Sequence, residues 1–164
     1  MKTFIIAALS ADGFIARDTH ELADWTGSED KKLFVELTKR AGVMVMGNTT
    51  FKTIGRALPG RDTIVYSRQQ IAIDGVTVTD EAPADLVQRL RTEGRQELAI
   101  CGGAAIYTLF LRAGVVDELY LTVEPCLFGT GVPLFTESIQ ADLKLLETRQ
   151  LNDNVILLHY EVQK

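Results

Sequence analysis

VMVMGNTTFKTIGRALPGRDTIVYSR, residues 43–68, is the stretch that decides the fold. It opens with a short apolar run of the kind that a buried strand makes, and this run ends at Gly47. The polar residues 48–50 that follow are of types that begin helices. The helix must end near Gly55, because a Leu-Pro-Gly turn then returns the chain into a second β-rich run at 63–66. The stretch therefore predicts a parallel strand–helix–strand unit.

The strand ends of this unit are placed to bind anions. A helix that starts after Gly47 directs unpaired backbone N–H groups and the positive end of its dipole at a ligand above the strand end. Ser67 and Arg68 end the second strand, where a hydroxyl and a guanidinium would hold a phosphate. Glycine and threonine also occur at such turns for structural reasons alone, so the unit by itself offers only candidate anion positions.

The composition favours one compact domain, residues 1–164, with 46% hydrophobic residues and enough length to bury a core. No apolar run is long enough for a membrane span or a signal peptide, so we expect a cytoplasmic protein. A net charge of −5 without a basic cluster argues against a nucleic acid partner. Cys101 and Cys126 have no partner at metal-binding spacing, so we expect buried free thiols and no metal site.

The remaining pattern alternates strands with helices and ends in a hairpin. Residues 17–25 show no periodicity and carry five charged residues or histidines among nine, so they predict a surface loop and a candidate lid directly after the first strand. An Asn-Asp-Asn turn joins the last two β-rich runs, so these should pair antiparallel. We predict an α/β domain with a mostly parallel central sheet, helices on both faces and a C-terminal antiparallel hairpin. Further strands are expected at 4–9, 76–79, 98–101, 118–123, 144–151 and 155–162, and helices at 29–40, 84–93 and 104–112.

Three features meet at one edge of this sheet: the turn at Gly47, the turn at Gly102 and Gly103, and the pair Ser67 and Arg68. Two glycines before a helix let a flat ring or a pyrophosphate approach the backbone, because no Cβ stands in the way. Two such turns would hold the two halves of a dinucleotide.

Asp30 shares a helical stripe with Phe34, Leu37 and Ala41, so a carboxylate lies on the face that should be buried. One interpretation is a surface carboxylate in the first turn, where the helix dipole favours it. The other is a buried anion that faces a cationic or amidine-like ligand. The two weigh about equally from spacing, and Thr122 would supply a hydroxyl partner in the second case.

Four segments together resemble dihydrofolate reductase. They are MGNTTFKTIGRALPGRDTIVYSR at 46–68, ICGGAAIY at 100–107, YLT at 120–122, and Trp25 placed five residues before Asp30. The resemblance implies a dihydrofolate-reductase-like fold and NADPH-dependent reduction of 7,8-dihydrofolate to tetrahydrofolate, part of one-carbon metabolism. Hydride would pass to C6 of the pterin, and water would carry a proton to N5.

The resemblance also implies roles for individual residues. Asp30 would bind N3 and the 2-amino group of the pterin, and Thr122 would hydrogen-bond to that acid. Arg61 would pair with the α-carboxylate of the folate glutamate, and Trp25 would stand beside the pterin. The pocket would further be lined by Ile6, Ala7, Phe34 and Ile54. The positions around NADPH would be Ala8, Gly47, Asn48, Thr49, Thr50, Ser67, Arg68, Cys101, Gly102, Gly103, Ala104, Ala105, Ile106 and Tyr107.

Some residues depart from this pattern and keep alternatives open. Asn48 stands where the family often has a basic residue for the 2′-phosphate, which leaves that work to Arg68. Segments 10–16 and 128–134 look more like the riboflavin-pathway pyrimidine reductases, whose substrate is 5-amino-6-(phosphoribosylamino)uracil. A nucleotide-binding module without turnover is a third reading. A monomer would fit the first family and a homodimer the second.

Overall fold

The computed structural model describes residues 1–21 and 24–164. Leu22 and Ala23 belong to the predicted loop at 17–25, so that part of the loop prediction lies outside the described residues. The other positions of this loop hold no regular helix or strand. No helix in the described ranges is long and apolar enough to cross a membrane.

An eight-stranded sheet forms the centre of the molecule, with strand order β5-β4-β3-β6-β1-β7-β10-β9. All neighbours from β5 to β7 run parallel, and β10 pairs antiparallel with both β7 and β9. The predicted mostly parallel sheet and terminal hairpin are therefore confirmed. The strands of this sheet are β1 (Lys2–Ser10), β3 (Val43–Gly47), β4 (Asp62–Tyr66), β5 (Val76–Thr79), β6 (Glu97–Ile100), β7 (Glu118–Glu124), β9 (Leu143–Gln150) and β10 (Ile156–Val162).

Helices cover both faces of the sheet, as the sequence predicts. They are α1 (Ser28–Ala41), α2 (Asn48–Ile54), α3 (Pro83–Thr92) and α4 (Ala104–Arg112). Alternate residues of the central strands point to opposite faces, so Ile5 and Val45 pack toward α3 and α4. Phe4 and Met44 pack toward α1 and α2. Both faces are thus buried, which explains why the central strands read as continuous apolar runs.

One short ribbon was not predicted. Strand β2 (Phe14–Ala16) pairs antiparallel with β8 (Val132–Pro133), inside the glycine-rich connection that follows β7. The Asp12 carboxylate fixes this connection, because it accepts hydrogen bonds from the backbone N–H groups of Phe128 at 3.1 Å and Gly129 at 2.7 Å. Two residues are too few to show the alternating pattern by which a strand is recognised.

The terminal hairpin offers a test of the packing. Leu157 on β10 is fully buried, whereas Leu145 on β9 is 51% exposed. We expect Leu157→Ala to lower the free energy of unfolding by about 2–5 kcal/mol, because it leaves a cavity in the core. Leu145→Ala is the matched control and should change it by no more than about 0.5 kcal/mol. Urea unfolding followed by circular dichroism measures both, and equal losses would contradict the described packing.

Candidate active site

A cavity of about 880 Å³ opens at the carboxyl ends of β1, β3 and β6. Its size suits a cofactor and a small substrate together. Ligands of open α/β sheets bind at this edge, because the loops that follow the strands meet there. The cavity is where the candidate residues of the sequence come together.

Most of the predicted site residues line this cavity. On the substrate side these are Ile6, Ala7, Trp25, Asp30, Phe34, Ile54 and Arg61. On the cofactor side they are Ala8, Gly47, Asn48, Thr49, Thr50, Cys101, Gly102, Gly103, Ala104, Ala105, Ile106 and Tyr107.

Thr122, Ser67 and Arg68 are not among the lining residues. Thr122 is fully buried on β7, behind Asp30 rather than on the surface of the cavity. Ser67 and Arg68 follow the end of β4, which neighbours β3 with Tyr66 opposite Gly47. A ligand that reached them would extend beyond the cavity along the strand ends. Their role as phosphate ligands stays a prediction.

The two glycine turns are joined directly, since the backbone N–H of Gly47 donates to the carbonyl oxygen of Gly102 at 2.8 Å. Gly102 has a φ of +113°, and a Cβ there would lie 3.1 Å from the Tyr107 hydroxyl oxygen. A Cβ on Gly103 would lie 3.3 Å from Thr50 Oγ1. The positive φ therefore favours glycine at position 102, and a Cβ at position 103 would require Thr50 to shift by a few tenths of an ångström. The peptide bond between Gly102 and Gly103 is cis.

Helix α4 begins at this floor without a side-chain cap. Gly103 is its N-cap residue, and no side-chain cap hydrogen bond forms there among the described residues. The backbone N–H groups there remain free to bind an anion. Tyr107 on α4 is buried, and its hydroxyl donates to the Ile6 carbonyl oxygen at 2.7 Å, which ties the helix to β1. The ring is therefore part of the core as well as of the cavity wall.

Asp30 lies in the first turn of α1, half-buried on the cavity wall. Burial raises the pKa of its carboxyl group, and the charge of Glu124 adds to that effect. Hydroxyl groups of Thr122 and Thr26 and the charge of Lys31 act in the opposite direction. Among the ion pairs of the described residues, none includes Asp30. The carboxylate thus forms no ion pair with a basic side chain in the described ranges.

The Thr122 hydroxyl interacts with Asp30 only loosely. It lowers the pKa of the Asp30 carboxyl group, yet Thr122 Oγ1 has no partner within hydrogen-bond distance among the described residues. Both observations fit a contact that is close but does not have the geometry of a normal hydrogen bond.

Arg61 is a half-buried residue of opposite charge that lines the same cavity. Burial lowers the pKa of its guanidinium group. Its Nη1 donates to the Pro59 carbonyl oxygen at 2.6 Å, whereas its buried Nε has no hydrogen-bond partner in the described part of the chain. A guanidinium held in this way is available to an anionic ligand.

The sequence did not identify two basic residues and three loop residues that line the cavity. Lys31 and Arg56 also line the cavity, as do Asp18, Thr19 and Glu21 of the loop predicted as a candidate lid. The helical spacing that placed Phe34 inward could have identified Lys31, which lies three residues before it. Nothing in the sequence near Arg56 distinguishes it from a surface arginine.

The two cysteines are half-buried rather than fully buried, and both are free. Cys101 lines the cavity beside Gly102. Burial raises the pKa of the Cys101 thiol, so it stays protonated and is not a nucleophile.

Comparisons with known proteins agree with this geometry. The family model described as Dihydrofolate reductase matches residues 2–156. Dihydrofolate reductase type 3 of Salmonella typhimurium is 38% identical over 123 residues, which cover 74% of this chain and 71% of that protein. Dihydrofolate reductase type A13 of Escherichia coli is 32% identical over 163 residues, covering 97% of this chain and 92% of that protein.

Among solved structures, similarity extends to another group. The crystal structure described as "Putative riboflavin biosynthesis protein" from Shewanella sp. PV-4 has a TM-score of 0.86 and 26% sequence identity. The match covers 100% of both chains. The whole chain, including its two ends, therefore has a structural counterpart that is not named a dihydrofolate reductase.

The raised pKa of the Asp30 carboxyl group leads to a prediction about the stability of the fold. A carboxyl group whose pKa is raised by folding stabilises the fold below its unfolded pKa, and this contribution is lost as the pH rises through the folded pKa. We therefore expect Asp30→Asn to be more stable than the wild type at neutral pH. The difference should shrink toward about pH 4, near the unfolded pKa of an aspartate.

Asp12→Asn is the matched control with the opposite sign. Hydrogen bonds from Ser10 and the Gly129 backbone lower the pKa of Asp12, so its contribution is present at neutral pH and is lost in acid. Urea unfolding at both pH values measures both variants. A loss of stability in Asp30→Asn at neutral pH would show that Asp30 has a basic partner after all.

Proposed function

The chain belongs to the dihydrofolate reductase family, and on that premise we propose that it is an NADPH-dependent oxidoreductase that reduces 7,8-dihydrofolate to tetrahydrofolate. One observation carries the choice of substrate: a half-buried carboxylate, Asp30, and a half-buried guanidinium, Arg61, line the same cavity. Neither group forms an ion pair within the part of the chain that the structure describes. Dihydrofolate has groups that complement both.

Asp30 would bind the pterin. An amidine-like edge offers two parallel N–H groups, which match the two oxygens of a carboxylate. Such a ligand would offset the cost of keeping Asp30 away from water. The charge of Lys31 acts in the same direction, yet the pKa of the Asp30 carboxyl group stays raised. Phe34, one turn further along α1, would pack against the ring, and Trp25 would stand beside it.

Arg61 would bind the other end of the substrate. Its unpaired Nε and its remaining Nη donors suit the α-carboxylate of a glutamate tail. Binding at both ends fixes the orientation of the pterin in the cavity. Orientation of this kind supplies a large part of the rate enhancement in a reaction whose chemistry belongs to the cofactor.

The residues on the other side of the cavity fit NADPH, which supplies a hydride from C4 of its nicotinamide when bound. Gly102 and Gly103 leave room for close approach to the backbone. The uncapped first turn of α4 offers N–H groups to a phosphate. Asn48 is neutral, so in this proposal a 2′-phosphate would depend on Arg68 beyond the cavity.

Asp30 would act by orientation and electrostatics rather than by direct proton transfer. The hydride goes to C6 and the proton to N5, and Asp30 would contact the opposite edge of the pterin. Water would carry the proton, and tetrahydrofolate would then serve one-carbon metabolism in the cytoplasm.

A second candidate is reduction of 5-amino-6-(phosphoribosylamino)uracil. It is supported by the TM-score of 0.86 over 100% of the chain to the Shewanella protein. Arg61 would bind a ribose phosphate as readily as a carboxylate. Asp30 favours the first candidate, because a phosphoribosyl substrate gains little from a half-buried anion on that wall. Binding of NADPH without its oxidation in the presence of either substrate would indicate a nucleotide-binding module without turnover.

Turnover with Asp30→Asn tests the proposal. The variant should bind NADPH nearly as well as the wild type and lose several orders of magnitude in turnover of dihydrofolate at neutral pH, because the pterin is no longer held by an anion. Loss of NADPH absorbance is the measurement, with the phosphoribosylamino-pyrimidine as the alternative substrate. Unchanged turnover would remove Asp30 from the reaction.

Arg61→Met tests the binding of the tail. We expect KM for dihydrofolate to rise about 10- to 100-fold with little change in kcat, because a charged hydrogen bond is lost equally from substrate and transition state. With dihydropteroate, which lacks the glutamate, wild type and variant should have similar KM values. Arg91→Met, an exposed arginine on α3, is the control. An equal rise in KM for both substrates would contradict the assignment.

A further inference from the structure

A second, smaller cavity of about 480 Å³ lies behind the proposed site. Trp25 and Thr26 line both cavities, so this short segment is the wall between them. Glu124 lines the smaller cavity but not the larger one. The proposed reaction gives this carboxylate no role.

Glu124 is only 3% exposed and lies at the end of β7. It follows Thr122 by two residues, so both side chains lie on the same face of the strand. Glu124 Oε1 accepts a hydrogen bond from the Gly27 backbone N–H at 3.2 Å. Gly27 is the N-cap residue of α1, and Asp30 lies in the first turn of that helix. Two carboxylates thus meet at one helix N-terminus.

No ion pair of the described residues neutralises either carboxylate. The partial positive charge of a helix N-terminus favours one anion, but two anions at the same terminus repel each other. The charge of Glu124 disfavours ionisation of Asp30, although burial is the larger effect.

Other groups around the pair modify this interaction. Asp30 is also faced by Lys31 on its own helix, by the Thr26 and Thr122 hydroxyl groups, and by the buried hydroxyl of Tyr107 on α4. Lys31 is the cation in this set, and its Nζ donates to the Thr26 carbonyl oxygen at 3.1 Å. Glu124 is further faced by Cys126 and by the turn at Asn152, Asp153 and Asn154.

We propose that Glu124 is a positioning residue of the active site that controls the protonation of Asp30 through the shared N-terminus of α1. Its negative charge keeps the proton on Asp30 to a higher pH than burial alone would. The consequence for turnover rests on the proposed function, whereas the coupling of the two carboxylates does not. The pH range of the enzyme is thus set partly by a residue that does not touch the substrate.

Glu124→Gln is the sharpest variant, because its amide oxygen can still accept the Gly27 N–H bond while the charge is removed. We expect the titration midpoint of Asp30 to fall by roughly half to one pH unit. Carbon-13 NMR of labelled aspartate carboxyl groups measures it without any substrate, and Asp30→Asn identifies the resonance. The pH profile of dihydrofolate turnover should move in the same direction.

Two controls separate charge from structure. Asp153→Asn removes an exposed carboxylate from the same small cavity and should leave the Asp30 midpoint unchanged. Glu124→Asp keeps the charge and should retain most of the wild-type midpoint. An unchanged midpoint in Glu124→Gln would overturn the proposal, as would an equal decrease in Asp153→Asn.

The wild type alone provides a second measurement if Glu124→Gln does not fold. Carboxyl groups that interact release their protons in more than one step, so the titration curve of the Asp30 resonance should depart from a single step. A single step would overturn the coupling. A coupled titration in a protein that does not reduce dihydrofolate would instead disprove the proposed function and leave the coupling in place.

Discussion

The hydrogen bond from the Gly47 backbone N–H to the Gly102 carbonyl oxygen, 2.8 Å long, is the contact on which the cavity depends. It joins the turns after β3 and β6, two neighbouring parallel strands. A side chain on Gly102 or Gly103 would meet Tyr107 or Thr50, so the floor stays bare backbone. Room for a flat ring and free N–H groups at α4 follow from this one constraint.

The position of Asp30 lowers the stability of the fold at neutral pH, because burial disfavours the charged form of its carboxyl group. The fold places this half-buried carboxylate on a cavity wall near a second carboxylate, and no ion pair among the described residues includes it. Groups kept in unfavourable surroundings by the rest of the fold are concentrated at functional sites. The proposed reaction uses this carboxylate to hold a pterin, and Arg61 provides the matching charge for the opposite end of the substrate.

The fold could be predicted because its signals are local and repeated. Apolar runs that end in glycine indicated the parallel strands, and the Asn-Asp-Asn turn indicated the terminal hairpin. The two-residue strand β8 was missed because it is too short to show a period. At the site, helical spacing placed Asp30 and Phe34 on the inner face, but spacing does not specify tertiary neighbours. Glu124 and Arg56 therefore needed the structure, and it alone showed that Ser67 and Arg68 lie outside the cavity lining.

Transfer of a label from cofactor to substrate tests the central claim most directly. NADPH that carries deuterium at C4 of its nicotinamide would be mixed with either the wild type or Asp30→Asn. Each enzyme would receive dihydrofolate or, in a separate sample, the phosphoribosylamino-pyrimidine, and the products would be examined by NMR. Dihydrofolate reduction at this cavity predicts tetrahydrofolate with deuterium at C6 from the wild type and almost none from the variant. Label that reaches the phosphoribosylamino-pyrimidine but never dihydrofolate would contradict the proposed substrate.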